Sequence, residues 1–325
     1  MQEQTILGHP KGLFILFFTE LWERFSYYGM RAILVLYLTK ETSDTFNPGM
    51  GWTSAEALSL YGTYGMMVYF MGIFGGVAAD KWLGQKKAVI FGGILIIFGQ
   101  FALAFESLTM FYSGLALLVC GVGLLKPNIS TMVGGLYKQG DGRRDAGFTL
   151  FYIGINIGAL AAPFLVGTIG EQINWHLGFS LAGFGMILGQ LVFVFGKKHL
   201  KDVGNLLKHS ETESHLASQP LTKVEKDRII VLLISFLIVI VFWAAYEQAG
   251  GLMNLYARDS VDRIVFGYEI PTSWFQSLHA LYVVIIGAPM AWLWLRWGRM
   301  GKESSAIFKM AVGMIVMSIS FLMLM

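Results

Sequence analysis

Four ionisable residues fall within one apolar stretch near the start of the chain. Glu20, Glu23, Arg24 and Arg31 lie within residues 12–38, which otherwise carry no charged side chain. At 100° per residue along a helix, the four side chains share one stripe about 140° wide. Burying a charge in hydrocarbon is costly, so these residues must pair with one another or face a wet cavity. The stripe predicts a substrate or proton site, and a purely structural polar cluster is the alternative.

Two further charges stand close to apolar stretches. Lys126 precedes Pro127, which is expected to kink its helix, and the lysine either contacts a ligand or forms a structural ion pair. Glu247 is a suitable partner for Arg31. Because an ion pair is strong in a low dielectric and its broken half is costly, protonation of Glu247 would couple proton binding to the opening of two helix bundles.

Other polar and aromatic residues each allow two interpretations. His279 is either a buried neutral imidazole or a pH-sensitive group, and Asn156 either lines a cavity or bonds across helices. Aromatic side chains in the apolar stretches contact a ligand or simply pack in the interior. The candidates for ligand contact are Tyr27, Tyr28, Tyr69 and Trp243.

The common enzymatic motifs do not occur in the sequence. The six histidines are scattered and Cys120 is the single cysteine, so no metal-ligand spacing is present. There is no Gly-x-Ser-x-Gly elbow and no P-loop pattern. We therefore expect no enzyme, no metal and no cofactor, and an ion gradient as the source of energy.

The elements that must position these residues are membrane-spanning helices. Only 14% of the 325 residues are charged, against about 25% in soluble domains. This excludes an ordinary soluble enzyme, a disordered chain and a disulfide scaffold, and the net charge of +3 gives no argument for nucleic acid. Nine stretches approach the roughly 20 apolar residues that a span needs. They are 12–38, 57–79, 88–105, 107–125, 146–170, 172–196, 229–246, 270–295 and 305–325.

The distribution of basic residues predicts the orientation of the spans. With a cytoplasmic N-terminus, 17 lysines and arginines fall in cytoplasmic segments and three in outer segments. We expect a multi-pass protein of the bacterial inner membrane in this orientation. No cleavable signal peptide is visible.

The spacing of the spans predicts two bundles. Residues 1–196 form a six-helix bundle, residues 197–228 a polar cytoplasmic linker, and residues 229–325 a partial second bundle of three helices. Because the sequence ends inside an apolar run, we expect a fragment or a truncated gene product. Glycine pairs at 72/76, 154/158 and 185/189 predict close helix packing, or hinges that open a central cavity.

The residues of the first stretch belong to a longer familiar pattern. The run Glu20-x-x-Glu23-Arg24-Phe25-x-Tyr27-Tyr28-Gly29 resembles a signature of the proton-dependent oligopeptide transporters, a family of the major facilitator superfamily. Five more segments resemble family or superfamily motifs in order along the chain. They are 75–87, 123–131, 143–158, 242–248 and 273–278. The first of these looks like the superfamily loop motif, with Gly76, Asp80 and Gly84.

The resemblance implies a role for each candidate residue. Proton coupling would involve Glu20, Glu23 and Arg24, with Arg31 and Glu247 as an ion pair on the extracellular side. Lys126 would hold the peptide carboxylate or couple its charge to protonation, and Arg24 would lie near the same carboxylate. The peptide pocket would be lined by Tyr27, Tyr28, Tyr69, Asn156 and Trp243. His279 stands where the family usually has Asn, and we include it among the substrate-binding candidates.

The resemblance also implies a fold and a function. The fold would be the all-α, polytopic major facilitator fold. The function would be proton-coupled symport of di- and tripeptides by alternating access in a monomer. Two alternatives remain open: a related transporter of another small solute, such as an amino acid, nitrate or a peptide-like drug, and a non-transporting fragment. Because a family acidic residue on helix 10 is absent, we expect the chain alone not to perform coupled transport.

Overall fold

The computed structural model describes residues 5–206, 222–302 and 305–323. Among these residues, helices account for nearly all of the regular structure, and two short hairpins complete it. Strand β1 (Thr5–Ile6) pairs with β2 (His9–Pro10), and β3 (Ile264–Val265) pairs with β4 (Tyr268–Glu269), both antiparallel.

Eleven α-helices lie in the described part of the chain. The first seven are α1 (Lys11–Thr39), α2 (Ser54–Ala78), α3 (Gln85–Leu103), α4 (Leu108–Gly135), α5 (Arg144–Ala162), α6 (Thr168–Gln172) and α7 (Trp175–Gly196). The last four are α8 (Lys223–Tyr246), α9 (Leu252–Ser260), α10 (Trp274–Arg299) and α11 (Ala306–Met323).

Seven helical stretches of the described residues are long and apolar enough to cross a membrane. They are Ser54–Leu83, Gln85–Leu103, Leu108–Gly135, Arg144–Gln172, Trp175–Leu200, Lys223–Gly250 and Trp274–Arg299. Helix α1 is equally long but carries five charged residues, and α11 contains a shorter apolar stretch. Together these helices account for the nine predicted spans and confirm the all-α, polytopic fold.

Local sequence explains where several helices begin and change pitch. Thr53 and Glu56 form a capping box at the start of α2, so two backbone N–H groups of the first turn are satisfied. Asn174 accepts hydrogen bonds from the backbone N–H groups of residues 176 and 177 at the start of α7. Pro163 has no N–H, and the chain passes through a π-helical segment, Pro163–Gly167, between α5 and α6.

Helix α1 lies at the centre of the first bundle, where α5 and α7 approach it through glycines. A Cβ atom at Gly158 of α5 would lie 2.3 Å from the Leu21 carbonyl oxygen. A Cβ atom at Gly185 of α7 would lie 2.5 Å from the Phe25 ring. The predicted close packing is therefore confirmed for 154/158 and 185/189. At Gly72 and Gly76, a Cβ atom would meet no described atom within 4 Å.

The described residues fall into two compact units. The first unit comprises Met1–Leu207 and Ala249–Leu281, and the second comprises Lys208–Gln248 and Tyr282–Met325. The stretch assigned from the sequence to a partial second bundle is thus divided between them. Helix α9, strands β3 and β4, and the first two turns of α10 belong to the first unit.

The second unit contains α8, the rest of α10 and α11. Thr222 and Glu225 form a capping box at the start of α8, inside the stretch predicted as a linker. Stacked aromatic rings join α10 to α11, since the ring centroids of Trp297 and Phe308 are 6.3 Å apart. The side chains of α8 are exposed or only half-buried.

Candidate functional site

Four of the five charged side chains of α1 are buried in the first unit. Glu20, Glu23, Arg24 and Arg31 are each at most 3% exposed. Arg24 Nε lies 3.0 Å from Glu20 Oε1 and also donates a hydrogen bond to Glu23 Oε2. Two carboxylates therefore share one guanidinium, so three of the four charges of the stripe pair with one another.

Pairing leaves part of the cluster without a hydrogen-bond partner. Among the described residues, Glu20 Oε2, Glu23 Oε1 and Arg24 Nη2 are buried atoms that make no hydrogen bond. A buried polar atom without a partner is costly, and such atoms are expected where a ligand, a water or a proton binds. The cluster therefore has the capacity to bind further groups.

Two tyrosines of α1 lie against the arginines of the same stripe. The Arg24 guanidinium lies 5.3 Å from the ring centroid of Tyr27 and 5.9 Å from that of Tyr28. The Arg31 guanidinium lies 5.7 Å from the centroid of the same Tyr28 ring. These distances are within the range of cation–π attraction, so the rings help to hold both buried cations.

Helix α2 supplies two site residues that the sequence analysis did not identify. Arg31 Nε donates a 2.7 Å hydrogen bond to the Tyr61 hydroxyl. Tyr64 is buried, its hydroxyl has no hydrogen-bond partner among the residues that the structure describes, and it interacts electrostatically with Glu23. The i, i+3 spacing of two tyrosines on an apolar helix is the sequence signal, because it places both hydroxyls on one face.

Lys126 on α4 reaches the same region. It interacts electrostatically with Glu20, and its Nζ lies 4.7 Å from the ring centroid of Tyr69. Pro127 interrupts the α4 hydrogen bonds next to it. Asn128 Nδ2 donates to the Leu124 carbonyl at 2.7 Å and to the Gly75 carbonyl at 3.2 Å, which ties this part of α4 to α2.

The remaining predicted residues are placed as follows. Asn156 is buried on α5, and its side-chain amide donates to the Tyr152 carbonyl of its own helix at 2.8 Å. His279, in the first unit, interacts electrostatically with Arg31. Trp243 and Glu247 belong to the second unit, at the end of α8. Their predicted contacts with the α1 cluster stay predictions.

The loop-motif residues lie at the junction of α2 and α3. Gly76 is in the last turn of α2, and Asp80 is exposed in a π-helical segment that ends at Leu83. Gly84 has a φ of +77°, and a Cβ atom there would lie 2.7 Å from the Leu206 backbone nitrogen. Both the backbone conformation and the close approach require glycine. The adjacent Lys86 donates its backbone N–H to the Gly204 carbonyl at 3.0 Å.

Comparison with known proteins agrees with this arrangement. The sequence model of the POT family, PTR2, matches residues 86–218 and 205–325. The uncharacterized transporter YclF of Bacillus subtilis is 38% identical over 99% of this chain and 75% of its own length. A di-/tripeptide transporter of Lactococcus lactis is 35% identical over 99% of this chain and 76% of its own length. The chain thus spans about three quarters of each relative.

Solved structures of transporters have the same fold. A variant of a POT peptide transporter in complex with alafosfalin has a TM-score of 0.87 and 39% identity, covering 98% of this chain and 75% of that chain. A POT family transporter in complex with 5-aminolevulinic acid has a TM-score of 0.82 and 29% identity. The match covers 99% of this chain and 77% of that chain. The chain therefore belongs to the POT family of peptide transporters and has the major facilitator fold.

Proposed function

We propose that the protein is a proton-coupled symporter of di- and tripeptides. The observation that carries the proposal is the buried cluster of α1, in which Glu20 and Glu23 share Arg24 and each keep one oxygen atom without a hydrogen-bond partner in the described part of the chain. When all three groups are ionised, the cluster has one excess negative charge. Uptake of one proton would remove that excess, so the cluster can change charge while it stays buried.

The peptide would bind beside this cluster. A di- or tripeptide carries an amine and a carboxylate, and a cation beside an aromatic ring suits the carboxylate. Lys126 beside Tyr69 offers such a site, and its charge acts on Glu20. Binding of the peptide carboxylate would therefore alter the charge balance that governs protonation of the cluster.

The proton gradient would drive transport by alternating access. Opening and closing of the two bundles around a site near the middle of the membrane is the general scheme for secondary transporters. Arg31 and Glu247 would form the extracellular ion pair in this scheme, and no cofactor would take part. We further propose that the N-terminus is cytoplasmic, so that the Thr39 end of α1 faces outwards, and that the protein acts as a monomer.

Transport by the reconstituted full-length protein tests the function, because the 325-residue chain alone is expected not to perform coupled transport. Proteoliposomes should accumulate labelled dialanine under an inward proton gradient, and a protonophore should abolish this accumulation. Unlabelled dialanine and trialanine should compete, whereas free alanine should not. Uptake that ignores the protonophore would refute proton coupling, and equal competition by alanine would refute peptide selectivity.

The role of Lys126 can be separated from stability. Lys126→Gln should raise the KM for dialanine by roughly tenfold, because a charged hydrogen bond to the carboxylate is lost. Dialanine amide, which has no terminal carboxylate, should be affected much less. Lys126→Arg keeps the charge and is the matched control. An equal loss for both substrates would contradict carboxylate binding at Lys126.

A second candidate function is transport of an amino-acid-like compound. It is favoured by the relative of known structure in complex with 5-aminolevulinic acid, which carries both an amine and a carboxylate. Competition between dialanine and 5-aminolevulinic acid for uptake distinguishes the two candidates. Peptide transport predicts the lower half-inhibitory concentration for unlabelled dialanine.

A further inference from the structure

A carboxylate from one helix caps the start of another at the Thr39 end of the first unit. Glu171, in α6, accepts hydrogen bonds from the backbone N–H groups of Thr272 at 2.9 Å and Ser273 at 2.8 Å. These two residues directly precede α10. N–H groups at a helix start have no partner within the helix and carry partial positive charge, so a carboxylate is a strong cap for them.

The cap lies in a partly buried seam between α6 and the start of α10. The Trp274 indole N–H donates to Thr168 Oγ1 at 2.8 Å, and the Ser277 hydroxyl donates to the Leu160 carbonyl at 2.8 Å. The side chain of Ser273 fills the space that a Cβ atom at Gly167 would occupy. The start of α10 is therefore fastened along one side of the helix that runs from α5 to α6.

Two further hydrogen bonds join the segment Ala249–Leu281 to α1. Asn254 of α9 donates its side-chain amide to the Ala32 carbonyl at 2.9 Å, and Arg258 donates to Thr39 Oγ1 at 2.5 Å. The segment Ala249–Leu281 thus closes the Thr39 end of the first unit. We call these contacts, with the Glu171 cap, the closing seam.

The charged groups around Glu171 are already paired. A cavity of about 300 Å³ beside it is also lined by Lys40, Arg258, Arg263 and Glu269. Lys40 is paired with Asp44 and Arg258 with Asp259, each at 2.6 Å, and Arg263 with Glu269 also at 2.6 Å. Within residues 5–206, 222–302 and 305–323, Glu171 therefore acts on α10 through backbone N–H groups and not through an ion pair.

We propose that Glu171 is a positioning residue of the transport cycle, which holds the Thr39 end of the first unit closed and releases α10 when that end opens. The proposal rests on the proposed function, because alternating access requires this end to open. A carboxylate accepts both N–H bonds at once, and bonds to a charged acceptor are about twice as strong as neutral ones. Loss of the charge should therefore shift the seam towards its open state.

Cysteine labelling measures that shift directly. Leu36 is 3% exposed and lines the cavity at the seam, and Cys120 is the single native cysteine. In a Cys120→Ala, Leu36→Cys background in detergent, Glu171→Gln should raise the maleimide labelling rate by about threefold to tenfold. Glu171→Asp keeps the charge on a shorter side chain. Its labelling rate should lie between those of the parent protein and the Glu171→Gln variant. Glu41→Gln, which changes an exposed carboxylate at the same end, should leave the rate unchanged.

The outcomes separate positioning from folding and from transport. Equal labelling rates in the parent, Glu171→Gln and Glu171→Asp proteins would overturn the proposal, as would an equal increase in Glu41→Gln. If Glu171→Gln does not fold, Ser277→Ala opens the same seam and should raise the rate, and an unchanged rate there would also overturn the proposal. Labelling in detergent needs neither peptide nor proton gradient, so its result is independent of the proposed function.

Discussion

The guanidinium of Arg24 and the carboxylate of Glu20 lie 3.0 Å apart, one helical turn from each other on α1. Both side chains are buried, and Glu23 bonds to the same guanidinium. The arrangement is stable only while the cation is present, because two neighbouring carboxylates repel each other in a low dielectric. Arg24 therefore holds the cluster together, and each carboxylate can lose its charge without leaving the cation unpaired.

Removal of Arg24 should destabilise the protein more than removal of the whole cluster. Arg24→Met leaves two buried carboxylates without a cation, and breaking a buried ion pair costs about 3–5 kcal/mol. Glu20→Gln and Glu23→Gln, added to Arg24→Met, should restore much of the lost stability. Thermal unfolding in detergent, followed by tryptophan fluorescence, measures the difference. A triple variant that is no more stable than Arg24→Met would contradict the charge argument.

The approach of α5 to α1 should tolerate no side chain at Gly158. A Cβ atom there would lie 2.3 Å from the Leu21 carbonyl oxygen, so Gly158→Ala should force the helices apart. Overpacking of this kind costs about 1–3 kcal/mol. Gly72→Ala is the matched control, since a Cβ atom there meets no described atom within 4 Å. Equal unfolding temperatures for the two variants would count against this packing.

The loop between α1 and α2 should lose order in acid. The hydrogen bond from Lys40, together with those from the N–H groups of Phe46 and Asn47, lowers the pKa of Asp44 from 3.8 to about 2. Because the folded pKa is depressed, the stabilisation is complete above about pH 4 and is lost as the pH falls through 2. Asp44→Asn should speed amide exchange at residues 46 and 47 at neutral pH. Exchange rates that match the parent protein at neutral pH would contradict this.

The charged stripe of α1 was predictable because one helix determines it. The angular positions of Glu20, Glu23 and Arg24 follow from helical geometry alone, and the cost of burying charge requires them to pair or to face a wet cavity. Most span boundaries also agree within a few residues, since the apolar runs end where charged residues begin.

Contacts between distant segments were not predictable from the sequence pattern. The bond between Arg31 and Tyr61 joins two helices, and nothing in either helix specifies the other as its partner. The same holds for Glu171, which looks like an ordinary charge at a span end but caps a helix about a hundred residues away. Helix α8 begins at Lys223, before the predicted span 229–246, because a capping box lies within the polar stretch that was predicted as a linker.

Proton-driven accumulation by a Glu23→Gln variant of the full-length protein tests the central claim most directly. Glutamine preserves the shape of the side chain but cannot gain or lose a proton, so coupling should fail while peptide binding survives. The variant should show no accumulation of dialanine under a proton gradient and should still exchange labelled for unlabelled dialanine across the membrane. Accumulation equal to that of the parent protein would contradict the assignment of proton coupling to the α1 cluster.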